Sequence, residues 1–508
     1  MIGLADWLCK RAARGPERPA LSFDDVTWCY AELQDRVERL SAVLAGGGVT
    51  PGDRVGYLGF NHPLFLVALF ATARLGAIFV PLNFRLAAPE IEFIVGDASI
   101  HTLLAGAEHI DTIAALRPAL QCRRYLAVDA PADGWEAARD LMATAAAQPA
   151  AAVAADAVAA IIYTSGTTGT PKGAMLTHAN FWANNLNANL VFDLVASDVA
   201  LNSAPLFHVG GLCVVSLPTL LAGGHLVLQE SFEPRQFMQA IERHRVTVSF
   251  AVPSMLLFAS QHAAFDSADL SSLRLIAVGG GPVPEPLLRL YNGRGIPVHQ
   301  GYGMTETTVI VTFLSPERAI EKLGSCGNAA ILTEFMLKDI QGQPILQPHE
   351  KGEVCVRGSN VMKGYWQRPE ATAAVFDEEG WFHTGDIGHM DADGYLYLCD
   401  RLKDMIISGG ENVYPAEVES ALCDHPALAE IAIVGALDAR WGERVVAAVV
   451  PNPGMAITLD ELQAYGSERL ARYKLPRELR LMESLPRNPA GKVLKNKLRQ
   501  AEPAPGNH

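Results

Sequence analysis

Strand-like and helix-like apolar runs take turns along most of this chain, and that alternation limits its fold more than any other feature. Between positions 53 and 83, DRVGYLGFN, HPLFLVALFATARLGA and AIFVPLN read as strand, helix and strand. The same rhythm returns at HTLLAG, VALNSAP, HLVLQE, TVSFAVP and LRLIAVGGG, without an internal sequence repeat. Such alternation predicts a mostly parallel sheet covered by helices, so the expected fold class is α/β. Nearer the start, Leu33, Val37, Leu40, Val43 and Leu44 recur at helical spacing and Gly46 to Gly48 stop the helix.

The texture changes twice along the 508 residues. Ala-rich 143–160 has few large side chains, and its first half reads as a surface connection. From about 345 to 400, GEVCVRG, GWFHTGD and GYLYLCD are short β-like runs between Gly and Asp turns, a β-rich subdomain. Helix and strand patterns then resume for about 100 residues, enough for a small α+β domain. The expected division is a large domain over 1–402 and a small one over 403–508.

Forty-one Lys and Arg against 55 Asp and Glu leave a net charge of −14, which argues against nucleic acid as a partner. The eight cysteines show no CxxC pair and no Cys/His grouping at zinc spacing, so a reduced, cytoplasmic setting is expected. Asp6, Lys10 and Arg11 occupy the place where a signal peptide needs its apolar stretch. The uncharged stretch between Asp198 and Glu230 is broken by Pro205, His208, Pro218 and His225, and reads as buried strand-helix-strand rather than a membrane span.

The apolar run AVAAIIYT enters Ser165-Gly166-Thr167-Thr168-Gly169-Thr170-Pro171-Lys172-Gly173, ahead of a helical stretch expected to begin near Thr177. Glycines let backbone N–H groups converge, hydroxyls add donors and Lys172 adds charge, a composition suited to a polyphosphate. The spacing is not that of a Walker A loop.

YTSGTTGTPKG (163–173) resembles the phosphate-loop signature of the adenylate-forming acyl-CoA synthetases. Gly301-Tyr302-Gly303-Met304-Thr305-Glu306-Thr307 is similar to that family's YGxTE segment and Thr384-Gly385-Asp386 to its TGD. Arg401 to Asn412, RLKDMIISGGEN, resembles its hinge motif, and Pro486 to Lys492, PRNPAGK, its C-terminal lysine motif. The segments occur in the family's order. They are closest to those of bacterial fatty acyl-CoA ligases and of feruloyl- or coumaroyl-CoA ligases.

The resemblance implies a two-step reaction with ATP, Mg2+ and coenzyme A. A carboxylate attacks the α-phosphate of ATP to give acyl-AMP and pyrophosphate, then the coenzyme A thiol displaces AMP. It implies that Lys492 is the cation of the first step, with Thr305 at the α-phosphate and Glu306 on magnesium. Nucleotide contacts are expected from Thr164, Ser165, Gly166, Thr167, Thr168, Gly169, Lys172, Gly280, Gly281, Gly301 and Gly303. Tyr302 would stack on adenine, and Asp386 and Arg401 would hold the ribose. A carboxylate matches a vicinal diol, and an acidic oxygen suits magnesium. Lys403 aligns with the hinge, about which the small domain would swing to replace Lys492 with Ser408, Gly409 and Gly410. Coenzyme A contacts are implied near Trp441, Tyr473, Lys474 and Arg477.

The segment 466–499 holds ten Lys/Arg against three acids, a local charge of about +7. That patch suits the phosphates of coenzyme A and also allows weak peripheral contact with anionic membrane. A homodimer is compatible with the sequence. The resemblance puts the acyl pocket at Trp182, Asn185, His208, Val209, Phe250 and Gly279, with His208 as a gate. A medium- or long-chain fatty acid is the first expectation for the acid, a hydroxycinnamic or other aryl acid the second, and transfer to a carrier protein the third.

Overall fold

The computed structural model describes residues 3–129, 133–146, 150–164, 171–408, 411–438, 441–487 and 493–500. It forms two compact units, Met1–Phe335 with Val356–Phe382, and Met336–Cys355 with His383–His508. The α/β expectation holds. In the first unit, Pro19–Phe23, His225–Leu228, Val199–Asn202, Val248–Ala251, Leu275–Val278 and Val298–Tyr302 run parallel side by side. Leu275–Val278 and Val248–Ala251 are buried throughout, as apolar strands covered on both faces are.

An eight-stranded sheet of the same unit has Ile78–Leu82 between Arg54–Leu58 and Val158–Thr164. Beneath it, helix Pro63–Arg74 is buried on nearly every residue, and His62 caps it by accepting the Leu64 amide at 3.1 Å. Its apolar residues cover the whole circumference rather than one stripe, the signature of a helix inside the core.

The helix after the phosphate loop begins where expected, capped by Thr177, but a strand that was not foreseen comes before it. Lys172–Thr177 is a strand, antiparallel to Val158–Thr164, and the helix His178–Val191 starts only after it. A strand therefore stands on either side of the loop. Thr177 caps the helix reciprocally with Asn180, at 3.1 and 2.7 Å.

Residues 199–228 form strand Val199–Asn202, a helical passage from Val209 to Ala222 and strand His225–Leu228, nearly all buried. The passage includes a wide π turn at Leu212–Ser216. No helix among the described residues is long and apolar enough to cross a membrane.

In the second unit, Leu428–Asp438 pairs antiparallel with Gly442–Pro451, which also receives Glu478–Leu481 in parallel and Ile406–Ser408 at Ser408. Val418, Leu422, Ile433, Val445, Ala447 and Val449 fill the core beneath. This unit also takes in 336–355 and 383–402, β-rich stretches that the sequence reading counted with the large domain.

Candidate active site

Within the first unit, three sequence-distant residues meet. Lys172, at the neck of the phosphate-loop hairpin, lies with its Nζ 5.2 Å from the centre of the Tyr365 ring. The Tyr365 hydroxyl donates to Glu306 Oε1 at 2.9 Å. The short strand Gly364–Tyr365 is held in place by antiparallel pairing with Ala174 and Met175, and the Met362 amide donates to the Glu306 carbonyl at 2.7 Å. Thr164 faces Lys172 across the hairpin. Ser165, Gly166, Thr167, Thr168 and Gly169 lie outside the described residues.

Glu306 sits in a tightly built turn. A Cβ on Gly301 would lie 2.5 Å from the Phe313 ring, and one on Gly303 only 1.4 Å from the Val309 carbonyl oxygen. Thr308 and Val309 both have positive φ, 49° and 87°, a strained conformation for β-branched residues. Asn360 donates to the Thr307 and Ile310 carbonyls at 2.9 and 2.8 Å, while Asn184 accepts from the Ile310 amide at 3.2 Å. Tyr302 and Thr305 are buried beside this turn.

The residues expected around the acid also come together. His208 Nδ1 accepts from the Gly210 amide at 3.1 Å, which leaves the ring proton on Nε2. A Cβ on Gly210 would lie 2.9 Å from the Phe250 ring, and one on Gly279 would meet Gly301 O at 3.6 Å and Phe250 at 4.0 Å. His208, Phe250, Gly279 and Gly301 are thus neighbours, with Val209 buried beneath and room left above Gly279, Gly280 and Gly281. His208 keeps surface open to solvent. Desolvation lowers its pKa, so it is neutral at neutral pH.

Helix His178–Val191 packs against the passage that begins at His208. It carries half-buried Trp182 and fully buried Asn185. Asn180, Asn184 and Asn187 on this helix are all hydrogen bonded, but neither Nδ2 nor Oδ1 of Asn185 has a partner.

The model of the AMP-binding enzyme family matches residues 8–366, and that of the AMP-binding enzyme C-terminal domain matches 417–492. The chain belongs to the AMP-binding enzyme family. It is 46% identical to a feruloyl-CoA synthase of Amycolatopsis sp over 98% of this chain and 99% of that one. It is 39% identical to the long-chain-fatty-acid–CoA ligase FadD13 of Mycobacterium tuberculosis over 94% and 93%. Among solved structures, the o-succinylbenzoate CoA synthetase of Bacillus subtilis in complex with its acyl-adenylate superposes with a TM-score of 0.87 at 37% identity, covering 98% of each chain. These likenesses put the protein among the AMP-forming acyl-CoA synthetases.

In the second unit of this AMP-binding enzyme, Asp386 is buried in a turn fixed from three sides. Thr384 Oγ1 donates to Val354 O at 2.7 Å and accepts from the Asp386 amide at 3.0 Å. Gly385, at φ 71°, donates its amide to Glu353 Oε1 at 2.9 Å. Arg401 pairs with Asp386 across the hairpin by backbone. The side chains of Arg401 and Lys403 lie outside the described set, as do Gly409, Gly410 and Lys492 altogether. Buried Ser408 meets Gly442, next to Trp441, over whose ring Arg477 lies at 4.5 Å. Tyr473 and Lys474 follow on a 3-10 turn, with Lys474 paired to Glu417.

The basic tail is not the open patch that its composition implies. Arg469, Lys474, Arg480, Arg487, Lys495 and Arg499 pair with Glu468, Glu417, Glu478, Glu430, Glu419 and Asp404. Four of those acids lie outside 466–499, so a local charge count cannot see them. Sequence reading also missed Tyr365, Asn184 and Asn360, which reach the first unit's site only through long-range pairing. The GYW at 364–366 was the one local signal, an aromatic pair after glycine in a β-like run.

Proposed function

We propose that this enzyme joins a hydroxyaryl carboxylic acid, of the hydroxycinnamate type, to coenzyme A. The acid's carboxylate oxygen attacks the α-phosphorus of ATP and the bond to pyrophosphate breaks. The thiol of coenzyme A then forms the thioester as the acyl–phosphate bond to AMP breaks. Lys172 supplies charge to the phosphates and Thr305 a hydroxyl, electrostatic positioning rather than covalent catalysis. Asp386 accepts the ribose hydroxyls. Neutral His208 lines the acid's entry, where an imidazolium would pair with the carboxylate instead of releasing it.

Magnesium fits Glu306, a half-buried carboxylate whose Oε1 is oriented by Tyr365. Bound there, it would neutralise phosphate charge. Lys492 and the 408–410 segment take their turns at the reacting centre as the small domain swings about Lys403. The Arg477–Trp441 pair receives the adenine end of coenzyme A.

One observation carries the choice of acid. Asn185 has a buried amide with no partner, which costs on the order of 1–3 kcal/mol. A phenolic hydroxyl entering the pocket removes that cost, whereas an alkyl chain leaves it in place. The sequence reading put a fatty acid first; Asn185 and the 46% identity to a feruloyl-CoA synthase support the aryl acid instead. The 39% identity to a fatty-acid ligase supports the second reading.

The test is AMP formation with coenzyme A over a panel of 4-hydroxycinnamic, cinnamic, benzoic and fatty acids. A hydroxycinnamic acid is expected to lead cinnamic acid at least tenfold in kcat/KM, and Asn185→Leu to erase the lead. A fatty acid in front would overturn the proposal. Thioester appearing only on a carrier protein would replace coenzyme A as acceptor.

A further inference from the structure

The second unit carries a group of metal-capable side chains that the ligase reaction does not use. Glu353 and Cys355 stand two residues apart on strand Lys351–Gly358, hence on one face of it, and His383 stands on the neighbouring strand Phe382–Met390. His383 Nδ1 lies 2.7 Å from Glu353 Oε2 and 3.5 Å from Cys355 Sγ. One donor atom from each of the three lies within 4.8 Å of the others. The residues are 28 and 30 positions apart across the strands, which is why no zinc-like spacing was visible along the chain.

We infer that Glu353, Cys355 and His383 form a binding site for one zinc-like divalent ion. A thiolate, an imidazole and a carboxylate are a ligand set that zinc accepts, with a fourth position left for water. Two of the three donor separations are close to what such an ion needs. With bonds of about 2.0 Å to N and O and about 2.3 Å to S, tetrahedral ligands sit roughly 3.3 Å apart for N and O and 3.5 Å for N and S. The sulfur–nitrogen separation already matches, and the Glu353–His383 pair has to open by about 0.6 Å.

Access and proton balance are both defined. Cys355 is buried, but the His383 and Glu353 side chains are 27% and 18% exposed, so the ion enters past them. The Cys355 thiol loses its proton to solvent. His383 offers its Nδ1 lone pair as the Nε2–H tautomer, so the hydrogen bond to Glu353 gives way to two metal bonds. Glu353 Oε1 also accepts from the Gly385 amide, one residue before Asp386. Rotation of Glu353 toward the ion therefore pulls on the turn that presents Asp386.

The test uses the full chain, freed of metal by chelation and titrated with Cd2+ while the ultraviolet sulfur-to-cadmium band is followed. The wild type is expected to take up one equivalent with this signature. Cys355→Ser is expected to lose that equivalent while keeping its thermal midpoint and, without metal, its ligase activity. His383→Gln is read for uptake alone and is expected to lose it too. Zn2+ is expected to slow AMP formation at least tenfold more in the wild type than in Cys355→Ser. No bound equivalent, or equal uptake by wild type and Cys355→Ser, as when other thiols such as Cys399 take the ion, would overturn the site. The binding arm does not depend on the ligase reading and fails separately from it.

Discussion

Tyr365→Phe removes one oxygen from the molecule. The phenol is buried and its hydroxyl donates to Glu306 Oε1 at 2.9 Å, while its ring faces the Lys172 ammonium. Phenylalanine keeps the ring, so the contact with Lys172 survives while the hydrogen bond to Glu306 is lost. A bond to an ionised acceptor contributes about 1.5–3 kcal/mol. At about 1.4 kcal/mol per decade, the loss is about ten- to a hundredfold, and nearer tenfold because Glu306 is only half-buried and water substitutes in part. If Tyr365 aims the carboxylate, the deficit falls on the free Mg2+ needed for half-maximal ATP–pyrophosphate exchange, and saturating Mg2+ restores most of kcat. Water-proton relaxation with Mn2+ and ATP, without acid, reads the same affinity with no turnover. An unchanged metal requirement would refute the reasoning. So would a tighter one, which would mean that the hydroxyl competes with the ion instead of orienting its ligand.

Three further outcomes are expected. Lys492→Ala should abolish adenylation yet spare thioester formation from supplied acyl-AMP, and a bulky residue at Gly409 should do the reverse; equal damage to both half-reactions in both variants would refute the swing. Burial of Asp198 alone would raise its pKa, but bonds from Arg274 at 2.7 and 2.9 Å, the Val195 amide and Thr247 hold it below the usual range. Asp198→Ala removes that arginine's ion partner but leaves its bonds to the Phe192 and Asp193 carbonyls, and should cost about 1–3 kcal/mol by urea unfolding, whereas a loss under 1 kcal/mol would show the pair to be a surface one. Desolvation depresses His225 and His299 to about 4, with His244 adding repulsion at the former and Glu317 opposing at the latter. The unfolded chain takes up those protons first, so stability is complete above about pH 6.5 and declines as pH falls toward 4; His299→Gln should flatten the decline, and a flat wild-type profile would contradict it.

Much of the fold was legible because buried parallel strands must be continuously apolar: LIAV and VSFA mark themselves. The nucleotide motifs were legible because phosphates and diols ask for particular residue types in short local stretches. KGAMLT was not read as a strand, since its identity rests on pairing with Val158–Thr164 and Gly364–Tyr365 rather than on its own pattern. Tyr365 escaped for the same reason, being 59 residues from the carboxylate it touches. Charge was misjudged where partners were remote: Arg487 and Lys474 each find a glutamate 57 positions away.

The turn after Glu306 has a further consequence. Val309, at φ 87°, holds a posture that only glycine adopts at ease, and its carbonyl fills the space where any side chain on residue 303 would go. Val309→Gly would relieve about 1–3 kcal/mol of conformational cost, opposed by the lost packing of the valine on the core and by the freer unfolded chain of a glycine. The same relief would let the segment wander away from the one posture that aims Glu306. Here the relief of backbone strain and the aim of Glu306 pull in opposite directions.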